Sequence, residues 1–142
     1  MREILARIVG RTLESVTEAR HWREGIPGDG DEALIDFWLY FHGCPAAHVC
    51  GDDSGTRLLL TFDDPYASYE MGPYGEFRVE PVLPNSPLAP VVGRRLGAAD
   101  VLGPDAGVWL RFDDRELAIV ASDDDFEFAT EPAEIAAVLD MY

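Results

Sequence analysis

Residues 92–128 read VGRRLGAADVLGPDAGVWLRFDDRELAIVASDDDFEF, and this stretch decides the fold. Its short segments alternate apolar and polar residues with a period of two, which sends successive side chains to opposite faces of a strand. Gly103-Pro104, Asp113-Asp114 and Asp123 to Asp125 interrupt the alternation with residues that favour turns. The same elements stand upstream: VGRTL at 9–13 matches VGRRL at 92–96, and WLYF at 38–41 matches WLRF at 109–112. Two matches in the same order predict one β unit used twice, in halves of about 8–82 and 91–130.

Working outward, residues 2–9 place Ile4, Leu5, Ile8 and Val9 at helical spacing, with Gly10 as the stop. A turn and a short strand are expected in each half, within 13–22 and 96–102. Residues 25–31 (GIPGDGD) form a loop by composition. Residues 34–41 read as a strand with Ile35, Phe37, Leu39 and Phe41 on one face and Asp36, Trp38 and Tyr40 on the other. Residues 42–56 read as a loop, so the segment HGCPAAHVCGDDSG counts as an insertion in the first half, and LLLTF at 58–62 as the counterpart of the strand at 117–121. Short strands follow at 69–71 and 77–82. Four prolines within 81–90 argue for an extended connector along the surface. After strands at 108–112, 117–121 and 126–128, Thr130 is the expected cap of a C-terminal helix over about 131–140. Pro132 and the acidic Glu131 and Glu134 lie in its first turn, and Ile135, Val138 and Leu139 form its apolar stripe. The expected fold is therefore α+β: one domain, a mostly antiparallel sheet from two related β units, a short N-terminal helix and a C-terminal helix.

The chain has 142 residues, 47% hydrophobic and 11% aromatic, enough for one packed core. Asp and Glu number 27 against 11 basic residues, all of them Arg, for a net charge of −16. That charge repels nucleic-acid phosphates and anionic membrane surfaces, so neither is an expected partner. No run of apolar residues reaches transmembrane length, and no signal-peptide pattern follows Arg2 and Arg7. Two cysteines do not make a secreted disulfide scaffold, and a cytoplasmic location is expected.

His42, Cys44, His48 and Cys50 put four potential zinc ligands or a Cys/His pair into nine residues, with His21 available from outside. Structural zinc sites bring ligand pairs from two separated elements, and no thiol-enzyme signature surrounds these residues. Free, partly buried cysteines, no metal and no cofactor are therefore expected. No Gly-x-Ser-x-Gly, phosphate-loop, HExxH or calcium-loop motif occurs, and no catalytic residue is assigned. The acidic turns Asp113-Asp114 and Asp123-Asp124-Asp125, with Glu127 beside the second, are ordinary strand ends by turn chemistry. Together they are also a negative surface with little compensating charge. Trp38 and Trp109 occupy matching positions and serve either as a second core face under the helices or as anchors for a partner.

This two-halved pattern of VGRTL and VGRRL, WLYF and WLRF, LLLTF and LAIV, with acidic turns beside aromatics, resembles small acidic bacterial proteins of unknown function. Among these are the immunity proteins encoded beside polymorphic toxins. The resemblance implies a non-enzymatic protein that binds and neutralises a basic protein partner, such as a toxin domain. It transfers no functional residue. The partner-binding set read from the charges and aromatics is Asp123, Asp124, Asp125, Glu127, Asp113, Asp114, Trp38 and Trp109. The alternative is a small enzyme or metal-binding protein using the Cys/His loop 42–50.

Overall fold

Helix α1 (Arg2–Ile8) buries Leu5 and Ile8 and ends ahead of Gly10, whose φ of 90° suits a residue without a Cβ. Gly93 repeats that conformation at φ 85°. The two Gly-Arg steps face each other. Gly10 N–H donates to Leu96 O and Gly93 N–H to Leu13 O, both at 2.7 Å, around an antiparallel bridge between Thr12 and Arg95. The computed structural model describes residues 1–28 and 33–142. Of the loop expected at 25–31, residues 29–31 lie outside the described residues.

Each Gly-Arg step leads into a strand. In the first half, β1 (Leu13–Arg23) pairs with β3 (Leu34–Phe41), with Leu13 opposite Phe41 and Thr17 opposite Trp38. In the second, β8 (Leu96–Leu102) pairs with β9 (Gly107–Phe112), with Leu96 opposite Phe112 and Asp100 opposite Trp109. An irregularity follows the leucine in both pairs, at Leu13/Ser15 and at Leu96/Ala98.

The larger sheet runs β5-β4-β3-β1-β7-β6, with β2 (Ile26–Pro27) also on β1. Here β4 is Ala47–Gly51, β5 Leu58–Phe62, β6 Tyr69–Glu70 and β7 Glu76–Pro81. The smaller sheet runs β11-β10-β9-β8, where β10 is Arg115–Ser122 and β11 Asp125–Ala129. All pairings among the described residues are antiparallel. The chain is thus an α+β domain of two antiparallel sheets with a helix at each end.

One core lies between the sheets. Phe37, Phe41, Val49, Leu58 and Leu60 from the larger sheet meet Leu96, Leu110, Phe112, Ile119 and Phe126 from the smaller, with Leu5 and Ile8 of α1 beside them. Helix α2 (Pro132–Met141) covers the outer face of the smaller sheet, where Ile135 packs with Leu102, Ala118, Val120 and Ala129. Its N-cap is Glu131, not Thr130. Glu131 and Glu134 form a reciprocal capping box in which Glu134 Oε1 accepts from Glu131 N–H at 3.1 Å. Ile135 carries the packing, while Leu139 is exposed.

Several sequence expectations are corrected. Residues 42–56 are not a loop insertion: they are a turn, strand β4 and a second turn. Ala47 and Val49 face the core while His48 and Cys50 face away, and this alternation is what makes AHVCG a strand. In strand pairing it is β4 that lies beside β3, Ala47 opposite Leu39, as residues 117–121 lie beside residues 108–112, Leu117 opposite Leu110. Strand β1 is eleven residues long rather than short. It carries a buried Glu18, whose Oε2 accepts from Arg20 Nη2 at 3.1 Å and from the Ser86 hydroxyl at 2.9 Å, while Oε1 accepts from Leu83 N–H at 3.2 Å. Those bonds draw the proline connector inward, and Leu88 and Val91 join the core instead of running along the surface. Ile35 is not on the core face. The register between β1 and β3 slips at Ala19/Arg20, Leu34 takes the inward place, and Ile35 is exposed.

Candidate functional site

The outer face of the larger sheet has a second, smaller core of Ala19, Trp38 and Ala46, with Tyr40 and Val79 against it. Trp38 is fully buried there, so it is not a surface anchor for a partner. Its Nε1–H has no acceptor among the described residues. Trp109 on the smaller sheet is half-buried and packs with the cluster under α2; its Nε1–H donates to Glu116 Oε1 at 2.9 Å. Neither tryptophan stands free.

A polar cluster borders Trp38. Register places Trp38 opposite His48 and Phe37 opposite Val49, so Asp36 stands across from Cys50 on the same outward face. The His48 ring stacks on Trp38 at 4.7 Å with 11° between planes. His48 Nε2 lies 3.1 Å from Asp36 Oδ1, and the Tyr66 hydroxyl donates to Asp36 Oδ2 at 2.5 Å. On the other side of the ring, Nδ1 is 4.0 Å from Asp63 Oδ2, which accepts from the Thr61 hydroxyl at 2.6 Å. Donor atoms of Asp36, His48 and Cys50 all lie within 4.8 Å of one another.

Burial, then the charges of Asp36 and Asp63, push the Cys50 thiol up to about 11. A Cys/His/Asp grouping suggests a thiol nucleophile, but that chemistry needs a depressed thiol and an electropositive setting. This thiol is neutral near pH 7. Burial and the hydrogen bond to Asp36 likewise raise the Tyr66 phenol, which stays a donor. His42 and Cys44 are not in the cluster. Exposed His42 is 3.5 Å from Glu14, and Cys44 donates to Arg7 O at 3.9 Å near α1. His21 sits at Tyr74 O, 2.7 Å away.

The acidic turns fall at opposite ends of β10. At one end, Arg94 Nη1 donates to Asp114 Oδ1 at 3.3 Å, and Arg95 N–H to Asp113 Oδ2 at 3.4 Å. At the other end, three turns are joined through their backbones. Asp124 N–H donates to Gly55 O at 3.2 Å, and Leu58 N–H to Asp105 O at 2.7 Å. Gly55 has φ 72°, and a Cβ there would lie 2.1 Å from Asp124 Oδ1, so the turns approach as closely as only glycine permits. Asp52, Asp53, Asp105, Asp123, Asp124 and Asp125 gather on these turns, with Arg57 as their one base. The Ser54 hydroxyl donates to Asp52 at 2.6 Å and holds its carboxyl below the usual range. Glu127 is exposed on the adjoining β11.

Asp105, Asp113, Asp123 and Asp124 adopt positive φ. Left-handed turn geometry explains Asp, Asn or Gly at such positions, but not the preference for a charge. A cleft of about 190 Å³ at this end is lined by Asp36, Cys50, Asp52, Asp124 and Asp125, among others. A larger cleft of about 760 Å³ runs between the proline connector and the start of α2, past Arg94, Arg115, Asp114 and Glu131.

The sequence reading missed Asp36, Asp63 and Tyr66. The alternation over 34–41 did place Asp36 beside Trp38, but a partner strand was needed to bring it to Cys50. Comparison of the chain with known protein families, characterised proteins and solved structures finds no match.

Proposed function

We propose that this chain is a non-enzymatic acidic protein that binds and neutralises a basic protein partner, in the manner of immunity proteins. The observation that supports it best is the junction of three acidic turns at one end of the two sheets, joined by Asp124 N–H to Gly55 O and Leu58 N–H to Asp105 O. Six carboxylates facing one arginine attract a positively charged surface and speed its encounter. A phosphate-binding cleft of a nuclease is such a surface, and filling it would stop catalysis. In this reading Asp123, Asp124, Asp125 and Glu127 make the contact, joined by Asp52, Asp53 and Asp105. Asp113 and Asp114 are secondary because Arg94 pairs with Asp114 and offsets part of their charge.

Affinity capture from the source organism tests this, with wild-type chain and the Asp123/Asp124/Asp125→Asn triple variant as parallel baits. The expected result is a basic protein held by the wild type, weakened on the variant, and released at about 1 M salt, where the Debye length is about 3 Å. It should then form a stoichiometric complex on gel filtration and lose its activity there. Equal retention on both baits, or a partner whose activity survives in the complex, rejects the reading.

We also infer that residues 8–82 and 91–130 are two copies of one β unit. The support is the shared pairing of Leu13 with Phe41 and Leu96 with Phe112, each followed by an irregularity.

A further inference from the structure

We propose that Asp36, His48 and Cys50 bind one divalent transition-metal ion of the zinc class on the outer face of the larger sheet. Adjacent antiparallel strands supply the site. Asp36 lies across from Cys50, and His48 precedes Cys50 by two residues, so the pleat sends all three side chains to one side.

The distances suit a first-row ion. Zinc holds nitrogen and oxygen at about 2.0–2.1 Å and thiolate sulfur at about 2.3 Å, so donors across a tetrahedral angle are about 3.3–3.6 Å apart. Asp36 Oδ1 and His48 Nε2 are already 3.1 Å apart. The whole set lies within 4.8 Å, and Cys50 closes the remainder by a small side-chain rotation. Carboxylate, imidazole and thiolate together select zinc or cobalt over calcium or magnesium, which prefer oxygen alone.

The surroundings hold the donors in place. Tyr66 fixes one carboxylate oxygen of Asp36 at 2.5 Å, and Trp38 fixes the imidazole plane by stacking. When Nε2 binds the ion, Nδ1 carries the remaining proton, and the Asp63 carboxylate 4.0 Å away favours it by charge, beyond hydrogen-bond reach. Among the described residues no arginine pairs with Asp36 or Asp63, so their negative charge is available to a cation. Asp36 and Cys50 border the small cleft that also carries Asp52, Asp124 and Asp125. Three protein ligands leave a fourth position for water or a partner's side chain.

The test uses the whole chain freed of metal with chelator, then titrated with Co²⁺ and Zn²⁺ alone. The expected result is one Co²⁺ per chain with a thiolate-to-cobalt charge-transfer band that Zn²⁺ removes. Cys50→Ser abolishes the band. His48→Gln and Asp36→Asn weaken binding at least tenfold, and Asp63→Asn weakens it about tenfold. Cys44→Ser and His42→Gln change nothing. Because a variant can lose its fold, the wild-type chain is also read by nuclear magnetic resonance, where Co²⁺ must shift amides centred on β3 and β4. Absence of a band, a band that follows Cys44, or shifts centred on the 122–125 turn overturns the site. The ions alone serve as probes, so failure here is independent of any protein partner.

Discussion

Phe41 and Phe112 lie nearly parallel between the two sheets, their centroids 6.3 Å apart and their planes 9° from parallel. Each is fully buried and pairs within its own sheet with a leucine that follows a Gly-Arg step. Replacing either by Ala should cost about 3–5 kcal/mol, since the core relaxes only partly around the lost ring. A double-mutant cycle should show a coupling of about 0.5–1.5 kcal/mol beyond the loss of area. Urea denaturation measures both. A loss of under about 1 kcal/mol for Phe112→Ala would mean that the rings do not hold the sheets together.

Glu18 is the tie between β1 and the connector. Glu18→Ala breaks the buried ion pair with Arg20 together with the bonds from Ser86 and Leu83, and a loss of about 3–5 kcal/mol is expected. Ser86→Ala removes one hydrogen bond to a charged acceptor and should cost about 1.5–3 kcal/mol. The two changes remove opposite ends of one hydrogen bond, so their sum should exceed the double variant. Simple additivity in denaturant melts would contradict the clamp.

The two cysteines should react differently in metal-free protein. Cys50 is held up to about 11 from an ordinary 9.0, chiefly by burial. At pH 8 iodoacetamide should therefore label Cys44 well before Cys50, as peptide mass spectrometry can read. The linkage has a definite sign. Because the folded value is the higher one, this contribution to stability is complete below pH 9 and lost as pH climbs from about 9 to 11. Cys50→Ser should flatten that part of the stability profile, and an unchanged slope would disprove the assignment.

Once a partner is in hand, the two ends of β10 should behave unequally. Changing Asp123, Asp124 and Asp125 to Asn should slow association about tenfold at low salt and flatten its salt dependence. Changing Asp113 and Asp114 to Asn should do less, because the Arg94 guanidinium already offsets the charge of Asp114. Stopped-flow rates at two ionic strengths decide the matter, and a larger effect from the second pair would reverse the orientation of the complex.

Period-two patterns were readable where large aliphatic or aromatic residues filled successive inward places, as at 58–62, 108–112 and, apart from Ile35, 34–41. They were not readable where polar residues took inward or sheltered places. Glu18 and Arg20 are buried in β1 as a bonded pair, with Ser86 and Leu83 on the carboxylate and Gly28 O on the guanidinium, partners that no local pattern encodes. In β4, the small and polar residues throughout 42–56 resemble loop composition and mask the alternation of Ala47 and Val49. Asp36 then had no opposite strand, and its closeness to Cys50 depends on pairing across a turn that was not seen. Leu88 and Val91 were hidden by their proline neighbours. The helix cap moved by one residue because Glu131 and Glu134 satisfy each other's ends, where Thr130 would satisfy one.

Strand β1 leaves the ribosome first among the strands, yet it lies in the middle of the larger sheet, between β3 and β7. Its pairing with β7 waits until residue 81 has been made, and the Thr12–Arg95 bridge waits longer still. Contacts so far apart in sequence slow folding, because loop closure must precede any reward. Until then β1 exposes an unpaired edge to other nascent chains, and the charges of Glu14, Glu18 and Arg20 along it act as a guard against pairing with the wrong one.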